Sequence, residues 1–373
     1  MNSTFCRSFM QCFCSFSGCS AHNTEHVENL TPIYYNNGVS YPETNNEKLT
    51  YQQVLALFAA DLGAIESAIF DRLSSQNELL QEIMTYIARS GGKRLRPLLA
   101  CICAKLNGYE GSDHIALGNV VEYLHAATLL HDDVLDDAHL RRGAPSANSK
   151  WGNHFSVLGG DFLYTSAFDI LLARFPRDII RVLCRASMDM IEGEVLQRQW
   201  RGRIDITEGI YYKVISLKTA SLIAASCRSG GLLGGADESA AGDLEEFGRS
   251  IGMAFQIIDD TLDYMADQEK LGKILGGDLR QGTVTLPLIY LMQSLPEGED
   301  KRRIRETVEG GSIPDDFVLR IRTLMEELGC ARRALDTAAS HAERSKEKIL
   351  SFAGSPAFPA LEAAADYIIH RSH

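Results

Sequence analysis

From Tyr51 onward, apolar positions recur at three- and four-residue steps along nearly the whole chain. The run "YQQVLALFAADLGAIESAIFDRL" (51–73) reads as an amphipathic helix. "SDHIALGNVVEYLHAATLLHDDVLDDA" (112–138) opens on Ser112 or Asp113 as a capping residue and continues for over 20 residues. Further helical periods cover roughly 155–174, 177–199, 207–233, 238–267, 283–294, 315–329 and 331–352. Strand-like alternation is nearly absent. Glycine-rich breaks fall at 91–92, 230–235 and 276–277, and Pro97, Pro145, Pro287 and Pro296 lie near proposed helix ends. The pattern predicts an all-α chain with a single helical domain over 49–373. Residues 1–48 are rich in Ser, Asn, Cys and Phe and show no sustained period. They are expected to form a poorly ordered extension. A transit peptide is the alternative, but Arg7 is the only early basic residue and such peptides are usually Arg-rich.

Two helical runs carry acids where an apolar face is expected. Asp132, Asp133 and Asp136 follow the spacing D-D-x-x-D, and Asp259, Asp260 and Asp263 repeat it. Residues four apart share a helix face, so Asp132 projects with Asp136 and Asp259 with Asp263. A solvated acidic face would explain one such cluster. The flanks "ATLLHDDVL" and "GMAFQIIDDTL" instead resemble buried helix, where charges must be paired or bound to metal. Clusters facing each other suit a hard cation such as Mg²⁺, which takes few carboxylates and completes its shell with water and phosphate.

Composition adds exclusions. The chain of 373 residues is 45% hydrophobic and 23% charged, an ordinary balance that can bury a core. A net charge of −12 argues against nucleic acid as a partner. No apolar run reaches the length of about 20 residues that spans a bilayer, so a cytoplasmic protein is expected, or a mitochondrial or plastid one if 1–48 is a transit peptide. Of nine cysteines, four lie in the first twenty residues, while Cys101, Cys103 and Cys184 sit in apolar contexts and read as reduced core residues. Cys12 and Cys14, like Cys101 and Cys103, are separated by one residue, too few for a usual zinc site.

Basic residues gather near the acids. "SGGKRLRP" brings Lys93, Arg94 and Arg96 together after two glycines, a pattern that suits an anion or a solvated basic turn. Arg141 and Arg142 follow the first cluster and could pair with it or meet a phosphate. Lys218 and Thr219 lie in an apolar helical run, Lys273 follows the second cluster, and His125 sits two helical turns before Asp132.

Taken in order, "GGKRLRP", "HAATLLHDDVLDDAHLRRG", "GGDFLY", "EGEVLQ", "KTASL", "FQIIDDTLDY" and "LGKILGGDLRQGTVTLPLIY" resemble the motifs of the trans-prenyltransferases, the (E)-polyprenyl diphosphate synthases. The resemblance runs from about Tyr51 to the C-terminal "ADYIIHR". It implies an isoprenoid-synthase helical bundle around a deep central cavity, usually as a homodimer. It implies three Mg²⁺ ions per site, held by Asp132, Asp136, Asp259 and Asp263, with Asp133 and Asp260 supporting the chemistry. Arg141, Lys218 and Lys273 would clamp an allylic diphosphate primer. Lys93, Arg96, His125 and Arg142 would bind isopentenyl diphosphate, and Thr219 and Gln256 would line the reacting carbons. One position departs from the family's "DLxxGKxTLP": Thr283 stands where many members have Lys.

By the same resemblance, the positions four and five before Asp132 set product length. They are Thr128 and Ala127, both small, so the tail should pass and a long product is expected, about C30 to C50, of the kind used for quinone side chains. Phe168 is the candidate for a deeper floor. Peripheral membrane contact would serve product release. The alternatives are a shorter farnesyl or geranylgeranyl product, a terpene cyclase, whose second metal motif usually has another form, and a non-catalytic partner subunit, which should have lost its aspartates.

Overall fold

The computed structural model describes residues 48–72, 77–89, 92, 94–141, 143–265 and 276–370. The predicted 51–73 helix is two, α1 (Tyr51–Leu57) and α2 (Ala59–Arg72), because Phe58 leaves helical geometry at φ −99°, ψ 12° while its ring stays buried. A periodic pattern does not register this break, since the chain buries its apolar side before and after it. Helix α3 (Glu78–Arg89) leads to α4 (Leu95–Lys105) and the long α5 (Asp113–Leu135). Ser112 precedes α5 but makes no side-chain cap; the Tyr109 hydroxyl accepts from the Asp113 N–H at 3.2 Å instead.

A short antiparallel hairpin follows, β1 (Leu140–Arg141) and β2 (Ala144–Pro145), turning at Gly143 with φ 79°. Then come α6 (Ala147–Trp151), α7 (Asn153–Arg174), α8 (Arg177–Gln199) and α9 (Glu208–Ile215). A π-helical turn at Ser216–Ala220 joins α9 to α10 (Ser221–Leu233), and α11 (Glu238–Met265) carries the second aspartate cluster. The chain closes with α12 (Gly277–Arg280), α13 (Leu286–Ser294), α14 (Glu299–Gly310), α15 (Asp315–Glu327), α16 (Cys330–Lys348) and α17 (Phe358–His370).

Helix α10 is central, packed by α4, α5, α8 and α11. Its sequence explains how: Ser221, Ala224, Ala225, Ser226, Cys227 and Ser229 are small and buried, so neighbours approach on every side. Two glycines set the closest approaches. A Cβ on Gly193 of α8 would lie 2.5 Å from the Lys218 nitrogen, and one on Gly252 of α11 would lie 2.7 Å from the Ala220 Cα. Both contacts fall on the π turn, so α8 and α11 grip the segment that presents Lys218 and Thr219. Single π turns recur at functional positions because they re-aim side chains within a helix.

By length and composition alone α7 could cross a membrane, although Asp161 and Asp169 interrupt its apolar run. It packs on α5 along one side, and its outer side leaves Phe155, Leu158 and Leu172 exposed.

Candidate active site

The first cluster sits at the C-terminus of α5. Asp132 and Asp133 are in its last turn and Asp136 ends it, donating its N–H to the Asp132 carbonyl at 2.8 Å. A helix C-terminus already carries partial negative charge, so three carboxylates there require cations. The structure provides them from three directions. Arg141 of β1 forks onto Asp133, Nε to both oxygens at 2.9 Å and Nη2 to Oδ1 at 2.7 Å; Asp133 is 2% exposed. Arg198 of α8 donates to Asp136 at 2.9 Å and to the Leu135 carbonyl at 3.1 Å. Lys218 places its ammonium 3.8 Å from Asp132. Asp137 turns the chain away with φ 49°, a left-handed conformation that Asp tolerates better than most residues.

Lys218 is held by α8, donating to the Glu194 carboxylate and to Gln197 Oε1 at 2.7 Å. Burial would lower its pKa, but Asp132 and Glu194 outweigh burial and raise it. Burial pushes the Glu194 carboxyl up, and Lys218 and Arg198 more than offset that and hold it below the usual range. Asp132 goes the other way: burial, with Glu194 and Asp136 close by, pushes it up to about 6 despite Lys218.

In the second cluster Asp260 is buried. It accepts from the Tyr211 hydroxyl at 2.6 Å and from Gln256 Nε2 at 2.7 Å. The Gln256 carbonyl in turn accepts from Thr219 Oγ1 at 2.8 Å, joining α11 to the π turn. Burial, reinforced by Asp259 and Asp263, pushes Asp260 up to about 7 against the pull of its two donors. Asp263 accepts from the backbone N–H groups of Gly277 and Asp278 at 3.2 and 3.0 Å, capping α12. Asp259 is exposed. Asp278 of α12 faces the cluster, and burial together with Asp260 and Asp263 raises its pKa strongly. Among the described residues, no three His, Cys, Asp or Glu side chains gather closely enough to hold a cation unaided. The site instead sets Asp132, Asp260 and Asp278, which burial pushes up, beside carboxylates already paired with Arg141 and Arg198, an arrangement that fits a dication sharing its shell with water and phosphate.

Of the predicted basic set, Arg96 lies beside His125, with Nη1 3.3 Å from Nε2. Arg94 points elsewhere, to Glu122 at 2.5 Å and Glu66 at 3.4 Å. Lys93, Arg142 and Lys273 lie outside the described residues. Ala127 is fully buried, and Thr128 donates to the His125 carbonyl at 2.8 Å. Phe168 stacks on Tyr164, which stacks on His131, forming an aromatic column between α5 and α7. Sequence reading missed Glu194, Gln197, Tyr211 and Asp278. Glu194 and Gln197 carried a local signal, at three-residue spacing within the quoted "EGEVLQ", and Asp278 lies in the quoted "LGKILGGDLRQGTVTLPLIY"; Tyr211 carried none.

A cavity opens here, lined by Asp136, Lys218, Thr219, Asp260, Asp278 and Thr283. The sequence model of polyprenyl synthetases matches residues 77–317, which contain every element of this site. The chain belongs to the polyprenyl synthetase family. It is a prenyltransferase with the family's all-α fold. It is 40% identical over 264 residues to the octaprenyl diphosphate synthase of Escherichia coli, covering 71% of this chain and 81% of that one. It is 34% identical over 316 residues to a geranylgeranyl diphosphate synthase of Methanosarcina mazei, covering 83% and 95%. A Caulobacter crescentus polyprenyl synthase, solved in complex with calcium and isoprenyl diphosphate, superposes with a TM-score of 0.82 at 34% identity, covering 88% of this chain and 100% of that one.

Proposed function

We propose that this polyprenyl synthetase extends an allylic diphosphate by successive head-to-tail (1'-4) condensations with isopentenyl diphosphate. Each cycle releases diphosphate, and the product is an all-trans chain of about C30 to C50 for quinone side chains. The observation that carries this reading is the Lys218 ammonium, 3.8 Å from Asp132 in a cavity that Asp260 of the second cluster also lines, with the small, buried Ala127 about one helical turn below the first cluster. The Methanosarcina relative favours a shorter, geranylgeranyl-length product as the second reading.

Asp132, Asp136 and Asp259 would hold Mg²⁺, three ions per site, with Asp263 beside them. When bound, the metal neutralises charge building on the departing diphosphate. Asp133 and Asp260 have supporting parts, because Arg141 on one side and Tyr211 with Gln256 on the other already engage their oxygens. Lys218, Arg141 and Lys273 grip the allylic diphosphate and stabilise it as it leaves. Arg96 and His125, with Lys93 and Arg142, hold isopentenyl diphosphate so that its double bond faces the allylic carbon. Thr219 and Gln256, fixed by Asp260, line that junction. The proton lost after attack goes to the departing diphosphate. The apolar body of the bundle keeps water from the cationic carbon.

The exposed apolar side chains of α7 and α8 support a homodimer. On α8, Met188, Ile191 and Val195 fall at three- and four-residue steps on one face. Phe155 and Leu158 of the neighbouring α7 are exposed as well. A second copy of the chain would cover this face; peripheral membrane contact would serve product release elsewhere. The protein is placed in the cytoplasm, or in a mitochondrion or plastid if 1–48 is a transit peptide. The reading is tested by following diphosphate release from farnesyl and isopentenyl diphosphates. Release that needs Mg²⁺, stops with EDTA and returns with added metal supports it; release indifferent to EDTA rejects the metal assignment.

A further inference from the structure

We propose that Arg201 binds the allylic diphosphate at the mouth of the cavity, opposite Lys218; this rests on the elongation reading above. Arg201 lies just beyond α8, in a turn docked against the loop that follows α12. The Gly202 N–H donates to the Gly282 carbonyl at 2.7 Å. Both glycines have left-handed backbones, φ 71° and 77°, and a Cβ on Gly282 would come within 3.3 Å of the Arg201 Cγ. The turn is braced by Arg203, which stacks 4.2 Å over the Trp200 ring and donates to Asp205 at 2.9 Å.

The guanidinium of Arg201 is thereby aimed but only partly used. Its Nε donates to the Gln281 carbonyl, which fixes the plane of the group. Its Nη1 stands 3.9 Å from Asp136, beyond hydrogen-bond distance, and the side chain is 40% exposed. Arg201 lines the same cavity as Lys218, Thr219 and Asp278. The neighbouring cations are more fully committed: Arg198 to Glu194, Asp136 and the Leu135 carbonyl, Lys218 to Glu194 and Gln197. A planar fork with its outer donors facing an anion cavity is the geometry that engages phosphate oxygens in pairs. The docked loop lines the cavity with the uncharged Gln281, Thr283, Val284 and Thr285, so Arg201 brings to this wall the positive charge the loop does not carry.

The test uses the full-length protein with Arg201→Gln, Arg201→Lys, and Arg201→Gln combined with Thr283→Lys. Inorganic diphosphate binding with Mg²⁺ is measured by calorimetry, and KM is measured separately for farnesyl and isopentenyl diphosphates. For Arg201→Gln we expect the diphosphate Kd and the farnesyl diphosphate KM to rise about tenfold. The isopentenyl diphosphate KM and the Tm should stay at wild-type values. Arg201→Lys should recover part of the loss, and Thr283→Lys should restore affinity in the Gln background. Unchanged Kd and farnesyl diphosphate KM would overturn the proposal. So would a loss shared equally by both substrates with a lowered Tm, which would make Arg201 only a brace for the turn. A wild-type protein that binds diphosphate but does not elongate would overturn the reading beneath, and the diphosphate titration would still decide Arg201.

Discussion

Lys218 ties Asp132 to Glu194 and Gln197, and its loss should be felt twice. Lys218→Ala leaves Glu194 and Asp132 without their shared cation, and breaking a buried ion pair costs about 3 kcal/mol or more. It also removes a donor to the leaving diphosphate, so kcat should fall by about 100-fold. Thermal denaturation and steady-state rates check the two effects separately; a kcat within a few-fold of wild type would remove Lys218 from the chemistry. Ala127→Phe makes a different claim, because Ala127 lies in the buried wall one turn below Asp132. Its product should be shorter, and unchanged chain length in a radiolabelled assay would reject that wall as the tail's path. At this scale the aspartates were legible because their spacing is local. The partners that set their charge were not: Glu194, Arg198 and Asp278 reach the clusters from distant helices, and no spacing rule links them. Arg141 was legible only as a choice between aspartate and phosphate, and the fork onto Asp133 shows its resting partner.

Helix crossings place the π turn, so small changes there should reach the site. Gly252→Ala puts a methyl 2.7 Å from the Ala220 Cα, and such overpacking costs about 1–3 kcal/mol. We expect a lower Tm and a reduced rate together; wild-type values of both would mean that the helices yield easily. A second element-scale device joins α2, α4 and α5. Asp61 meets His114 at 2.9 Å and Lys105 at 3.7 Å. Burial pushes its carboxyl up, but His114 and Lys105 more than offset that and hold its pKa below the usual value. With the folded-state pKa below the unfolded one, the stabilisation is complete above about pH 4 and is lost as pH falls through the folded value. Asp61→Asn should therefore cost about 1–3 kcal/mol at pH 7 and progressively less in acid. Urea denaturation curves whose difference from wild type does not change with pH would contradict this.

The elements themselves were unevenly legible. Long amphipathic helices such as α8 and α11 announced themselves by period. Helix α4 did not, because Leu98 to Ala104 are all buried and no polar face marks a repeat. Helices α3, α14 and α17 were also overlooked, and the hairpin at Arg141 is too short to produce alternation.

The proposed homodimer is tested at the scale of the whole molecule. Leu158→Glu and Ile191→Glu each place a charge on the exposed apolar side of α7 or α8. Sedimentation should show the wild type as a dimer and the double variant as a monomer, whereas a monomeric wild type would remove the dimer proposal. The period along α7 revealed a helix but not that its outer side stays uncovered, since exposure depends on what packs there. The central claim, chain elongation to a long product, is tested most directly by sizing what the protein makes. Purified protein is incubated with Mg²⁺, farnesyl diphosphate and labelled isopentenyl diphosphate, and the dephosphorylated products are separated by length. The expected result is a ladder ending at one dominant all-trans alcohol of about C30 to C50. A cyclised hydrocarbon, a product that stops at geranylgeranyl length, or no incorporation of label would contradict it.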